Sequence, residues 1–270
     1  MSAPQQVIHL FRHGEAEHNK RHDLRDQFLT PAGVAVVKQI PHTYKYFHRP
    51  AVILVSPLQR CIQTALLAFH PYFNSAAKHI FPTPPKIIAV PELQECSLDE
   101  CDIESPVNVL RRKYGEWVEF PEELFRGTPY GGLTDLNPRP WLVKGMVAKW
   151  TNEVDALRER AQSVREDINR MEEMEVIVVA HGNFNMFLIN QWQDESQREI
   201  NWKYYERGEG RPVVIVPTGV EQAGGRLETM MKFELPPWYK GDEHEFQSWH
   251  EPTIDTPPTA PQDLPIQDST

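Results

Sequence analysis

Arg12-His13-Gly14-Glu15, Arg60, Glu92 with Glu95, and His181 are the residues of this sequence whose types could do chemistry together. Two arginines, two histidines and a carboxylic acid suffice for phosphoryl transfer without a metal. Guanidinium groups match phosphate oxygens in bidentate geometry and stay charged at any working pH. Arg12 and Arg60 can therefore hold the charge that spreads over the equatorial oxygens. A neutral imidazole attacks phosphorus through one ring nitrogen when the other is protonated and pinned by an acceptor, commonly a backbone carbonyl; His13 is the candidate nucleophile. The alkoxide leaving group needs a proton, and the same donor, once ionised, can activate water. Glu95 is the candidate, with Glu92 and Asp99 as alternatives. Such a carboxyl stays protonated only if burial or the incoming phosphate raises its pKa, a shift the arginines oppose. It is thus expected on the leaving-group side, several ångströms from the guanidinium pair.

Other chemistries fit these residues poorly. His13 and His18 with Glu17 approximate a zinc motif, but the histidines are five apart rather than four and would not share a helix face. Cys96 and Cys101 lack a second thiol pair, and neither a Cys-x5-Arg arrangement nor a Gly-x4-Gly-Lys phosphate loop occurs, so no metal and no cofactor is expected. Plainer readings compete: His13 or His181 as a satisfied core histidine, Arg60 as a sheet cap paired with a surface carboxylate, Asn19 as a turn residue bonding local backbone.

These groups need elements that bring them together. Val7 to Phe11, Ala51 to Val55, Ile87 to Val90 and Val176 to Ala180 are short apolar runs that predict buried strands, each followed closely by one of the polar groups above. Ser56 as N-cap and Pro57 at the first helical position predict a helix to about Phe69. Val154, Leu157, Ala161, Val164, Ile168 and Met171 recur at helical spacing, with Arg, Glu, Gln and Asp on the other face. Strands alternating with helices predict an α/β sheet, largely parallel, and ligands of such sheets bind at the carboxyl ends of strands.

Residues near 96 to 145 read as an irregular insertion over the active end of a domain spanning 1–240; Phe120, Phe125, Tyr130 and Trp141 there line a leaving-group pocket or, by preference, form a satellite core. Residues 241–270 are acidic and proline-rich and read as a tail. A net charge of -10 argues against a nonspecific grip on nucleic acid, so the expected partner is a small phosphorylated metabolite held by local basic residues. No stretch suits a bilayer and the N-terminus lacks a secretory pattern. With three cysteines and no Asn-x-Ser/Thr acceptor, cytoplasmic residence is the expectation. Oligomeric state is not legible.

Leu10-Phe11-Arg12-His13-Gly14-Glu15-Ala16-Glu17-His18-Asn19 resembles the signature of the histidine phosphatase, or phosphoglycerate mutase-like, superfamily, of the branch 1 type. Asp26 to Gly33 resembles its segment leading into the first helix, Ser56 to Ala65 its second-arginine motif, Leu93-Gln94-Glu95 its acid segment and Val178 to Gly182 its second-histidine strand. The resemblance covers about residues 6 to 190. It implies a three-layer sandwich with a mainly parallel central sheet and helices on both faces. His13 would be the phosphorylated residue, Arg12, Asn19, Arg60 and His181 the phosphate contacts, and Glu95 the proton donor. The family's Gly-x-Trp-Glu-Gly pattern after the acid is absent, and Asn183-Phe184-Asn185 follows His181 where relatives carry small residues. The implied activity is hydrolysis of a phosphate monoester through phosphohistidine, with a mutase or an inactive scaffold as alternatives.

Overall fold

Strands buried on both faces read as unbroken apolar runs, and such runs frame this chain. The computed structural model describes residues 5–19, 24–45, 50–73, 83–125, 150–189, 205–223 and 226–234. In chain order its elements are β1 (Val7–Arg12), α1 (Pro31–Thr43), β2 (Val52–Val55), α2 (Gln59–Ala68), α3 (His70–Phe73), β3 (Lys86–Ala89), α4 (Val107–Tyr114), β4 (Val118–Glu119), α5 (Glu122–Phe125), α6 (Val154–Asn169), β5 (Glu175–Ala180), α7 (Gly182–Leu188), β6 (Gly210–Ala223) and β7 (Arg226–Glu234). Short 3-10 turns occupy Glu17–Asn19, Pro91–Leu93 and Glu100–Asp102. All described residues belong to one compact unit, Met1–Pro236; the expected tail, 241–270, falls in a second unit, Pro237–Thr270, outside them.

Among the described residues a seven-stranded sheet has the order β4-β3-β2-β5-β1-β6-β7. The first five strands in that order pair in parallel, and β6 and β7 add an antiparallel edge. The mainly parallel α/β sheet expected from the sequence is what the chain forms. The antiparallel edge was not foreseen, although Val213-Val214-Ile215-Val216 is a β-branched run that signals a strand.

Strand alternation sends Ile8 and Leu10 of β1, Val52 and Leu54 of β2, and Val176 and Val178 of β5 to one side. There they pack with Leu157, Ala161, Val164 and Ile168 of α6 and Phe184, Phe187 and Leu188 of α7. Phe11 points to the other side, its ring 5.6 Å from Phe69 beyond α2 and 4.9 Å from Tyr44 beyond α1. Each such buried side chain contributes about 1.5–3 kcal/mol. A one-residue slip of β1 would exchange the two sets, so register is strongly specified.

Three expectations are corrected. The second helix begins at Gln59, with Leu58 as its cap, rather than at Ser56-Pro57; the Ser56 hydroxyl is bonded to a histidine from another strand, as described below. On α6, Arg160 and Arg165 of the supposed polar face are buried while Val154 is exposed. Their guanidinium groups donate to the Gln94 carbonyl at 3.0 Å and to the Phe187 and Leu188 carbonyls at 2.9 and 3.0 Å. Residues 107–125 are not irregular, whereas 96–106 carry only the short 3-10 turn. Val107, Leu110 and Tyr114 form the buried stripe of α4, and β4 extends the sheet beside β3. Phe120 and Phe125 are buried with ring centroids 6.0 Å apart, whereas Tyr130 and Trp141 lie outside the described residues. Among the described residues no helix is long and apolar enough to cross a membrane.

Candidate active site

The order β2-β5-β1 sets the carboxyl ends of three parallel strands side by side. Pairing continues past each strand end: His13 N–H donates to the Ala180 carbonyl and Ser56 N–H to the Val179 carbonyl, both at 3.0 Å. The residues that follow β1, β2 and β5, namely His13, Ser56 and His181, are thereby forced together. The imidazoles of His13 and His181 lie 5.2 Å apart centroid to centroid, and the His18 ring stands 5.3 Å from His13.

His13 Nδ1 lies 2.7 Å from the Gly14 carbonyl oxygen. A carbonyl only accepts, so Nδ1 carries the hydrogen and Nε2 keeps a lone pair. No hydrogen bond engages Nε2 among the described residues. Burial, followed by the charges of Arg60, of His18 when protonated, and of Arg12, holds the pKa of His13 well below the ordinary imidazole value against the opposing Gly14 bond, so the ring is neutral at pH 7.

The loop carrying His13 is fixed from two helices. Thr64, one turn after Arg60 on α2, accepts from Gly14 N–H at 3.0 Å and donates to the Arg60 carbonyl at 2.7 Å. At α1 the N-cap Thr30 accepts from Gly33 N–H at 3.0 Å and donates to the Glu15 carboxylate at 2.8 Å. The first turn of α1 comes so close to this loop that a Cβ on Gly33 would meet the Glu15 carbonyl oxygen at 2.0 Å.

Arg60 is wholly buried. Its guanidinium donates to the Cys101 carbonyl at 2.7 Å, to Asp102 Oδ1 at 2.7 Å and to His181 Nδ1 at 3.2 Å. Since arginine cannot accept, His181 Nδ1 is the acceptor, and its Nε2–H donates to Ser56 Oγ at 2.8 Å. Burial works against charge on Arg60, but Asp102 and its neighbours outweigh it, and the guanidinium is held ionised. Cys61 Sγ lies 3.4 Å from His181 Nε2, yet burial pushes that thiol far up and keeps it un-ionised.

Of the three acid candidates only Glu95 is buried; Glu92 is half-buried and Asp99 exposed. Glu95 Oε1 accepts from Cys96 N–H at 2.9 Å and from Phe184 N–H at 3.1 Å, the latter in the first turn of the helix that His181 caps. Burial and then the Asp102 charge raise the pKa of Glu95, opposed by the Cys96 N–H and Arg60. Arg160 donates to the Gln94 carbonyl and, at 3.5 Å, to the Glu95 carbonyl, with its guanidinium 4.3 Å from the centroid of the Phe184 ring.

Arg12 donates to the Tyr205 carbonyl at 2.8 Å, and its charge acts on His13. Asn19 is engaged locally: its Oδ1 accepts from Ala16 N–H at 3.0 Å and its amide meets His18 Nε2 at 3.1 Å, the turn role foreseen as its plainer reading. The plainer reading of Arg60 also has a counterpart, except that the carboxylate is buried Asp102 rather than a surface group. Sequence reasoning missed Ser56, Thr64, His18 and Asp102 as members of the site. Thr64 follows Arg60 by one helical turn, a spacing that could have revealed it; Asp102 carries no such signal. Among the described residues no cluster of three or more His, Cys, Asp or Glu side chains is arranged to hold a metal ion.

A family model described as the histidine phosphatase superfamily (branch 1) matches residues 8–207. No curated protein matches the sequence. Similar solved structures include the ecdysone phosphate phosphatase of Bombix mori in complex with tungstate, 15% identical, covering 83% of this chain and 98% of its own, with a TM-score of 0.48. The phosphoglycerate mutase of Bacillus anthracis str. Sterne is 18% identical, covering 86% of this chain and 94% of its own, with a TM-score of 0.46. The mycobacterial glucosyl-3-phosphoglycerate phosphatase complexed with VO3 is 14% identical, covering 85% and 98% respectively, with a TM-score of 0.44.

Proposed function

Because the chain belongs to the histidine phosphatase superfamily (branch 1), we propose that it hydrolyses a small phosphate monoester without a metal, through a phosphohistidine on His13. The observation that carries this reading is the neutral His13 ring, pinned at Nδ1 by the Gly14 carbonyl and available at Nε2 beside fixed positive charge.

In this reading the Nε2 lone pair attacks phosphorus, the ester P–O bond breaks and Glu95 gives its proton to the departing alkoxide. Arg12 and Arg60 offset the charge on the phosphoryl oxygens, and His181 and Asn19 orient them by exchanging their N–H bonds to Ser56 and His18 for bonds to phosphate. The Glu95 carboxylate then takes a proton from water, which attacks the phosphohistidine. The P–N bond breaks, its electron pair returns to Nε2, and inorganic phosphate leaves. Near-complete burial of His13 favours a phosphoryl group on a narrow stem, hence a metabolite. Its surplus of acid, 38 Asp and Glu against 28 Lys and Arg, disfavours nucleic acid. Three free, buried cysteines suit a reducing compartment such as the cytoplasm.

Phosphate release from a panel of phosphomonoesters in EDTA tests the proposal, alongside labelling of the protein from a 32P-phosphoester. Release with an acid-labile, alkali-stable label, both abolished in His13→Ala, is the expected outcome. Transfer of the label to a second hydroxyl instead of water would assign a mutase, and absence of both label and release would leave a scaffold.

A further inference from the structure

The buried side of Arg60 carries a feature that the reaction above does not use. Arg60 and Asp102 meet at 2.7 Å, with the two side chains 1% and 9% exposed. Asp102 is itself held, its Oδ2 accepting from Ser97 Oγ at 2.7 Å, and the carbonyl of the preceding Cys101 takes a second guanidinium donor at 2.7 Å. The 3-10 turn Glu100–Asp102 thus grips one edge of the arginine, while His181 Nδ1 accepts from the same Nη2 that meets Asp102. A surface cap would give Arg60 a screened, mobile partner; this one is held by hydrogen bonds and buried, so solvent and salt screen its charge less.

We propose that Asp102 is a positioning residue of the phosphoryl site, an internal counter-ion that fixes Arg60 against His181 and withholds part of its charge from the bound phosphoryl group. The inference rests on the phosphatase reading given above. Holding back charge has a chemical use: a site that binds phosphate too well releases product slowly and stabilises ground state and transition state alike. The same carboxylate reaches the proton donor. Glu95 is faced by Arg60 from α2, by Asp102 from the 3-10 turn, by Arg160 from α6 and by the first turn of α7, with Cys61 un-ionised nearby. Asp102 favours the protonated acid there and Arg60 opposes it.

Asp102→Asn separates these effects from simple support, because the amide oxygen still accepts from Arg60 while the charge is gone. In this variant inorganic phosphate should inhibit about three- to tenfold more tightly, since the guanidinium charge is no longer offset. KM should fall, and the alkaline limb of the kcat profile should move to lower pH because Glu95 loses its proton sooner. The doubly substituted Asp102→Asn, Glu95→Gln protein should keep the tighter phosphate inhibition and lose the displaced limb. Phosphate inhibition and alkaline limb both unmoved, in protein whose circular dichroism matches the parent, would overturn the inference; so would weaker phosphate binding. Should the parent protein release no phosphate from any monoester, the phosphatase reading fails instead, and titration of inorganic phosphate into the two proteins by calorimetry still reads the counter-ion effect.

Discussion

Two histidines stand on or next to β1, and their ring nitrogens are bonded differently. His9, in the middle of the strand, has both ring nitrogens engaged, Nδ1 with the Tyr44 hydroxyl at 2.8 Å and Nε2 with the Glu175 carboxylate at 3.0 Å. His13, just past the strand end, has Nδ1 bonded to Gly14 while no described residue bonds Nε2. Both are buried, so burial alone does not single out the proposed nucleophile. Unspent bonding capacity separates them: a ring satisfied at both nitrogens has no lone pair to offer, whereas a ring fixed at one and neutral at the other keeps one, which is what the proposed reaction requires.

The comparison breaks most visibly in activity. His13→Ala should lower phosphate release by about 10³-fold or more while the protein stays folded, and His9→Ala should leave kcat within a few-fold of the parent, as assayed on the best monoester of the panel. Equal loss in both, with fold retained, would erase the distinction. Glu95→Gln comes next, with kcat expected to fall about 10²- to 10³-fold and the phosphohistidine to accumulate in a rapid quench, because water loses its base.

In stability the ranking reverses. Arg60→Met leaves Asp102 as a buried charge without its cation and should cost about 3–5 kcal/mol in urea unfolding. His9→Ala leaves the Glu175 and Tyr44 oxygens short of one partner and should cost about 1–3 kcal/mol, more than His13→Ala. The smallest effect is on pH. With its folded pKa held below the ordinary imidazole value of 6.5, His13 binds a proton more readily in the unfolded chain. Its contribution to stability is therefore full above 6.5 and is lost as pH falls toward the folded value. Between pH 7 and 5 the parent should lose more stability than His13→Asn, and identical curves would show that the ring is not held neutral. The raised Glu95 works the other way, its contribution being present at low pH and lost as pH rises through its folded value.

Local pattern made much of this molecule readable. Strands buried on both faces are predominantly apolar, so β1, β2 and β5 declare themselves even with His9 inside β1, and helices packed on a sheet must carry a stripe, so α6 does too. Arg160 and Arg165 break the stripe because the carbonyls they serve belong to residues far away in sequence, and periodicity cannot show a hydrogen-bond partner across the fold. The same limit hid Ser56 as a partner of His181 behind its look of a helix cap.

The residue types of His13, Arg60, Glu95 and His181, and the strands that precede them, follow from the sequence, because residue chemistry and apolar runs are local properties. That β5 inserts between β1 and β2, bringing two imidazoles within 5.2 Å, was decided only by the tertiary structure. So was the pairing of Arg60 with Asp102, for which nothing in the intervening 41 residues is diagnostic. A buried cation draws its counter-ion from whatever packing places nearby, and packing is a property of the whole chain.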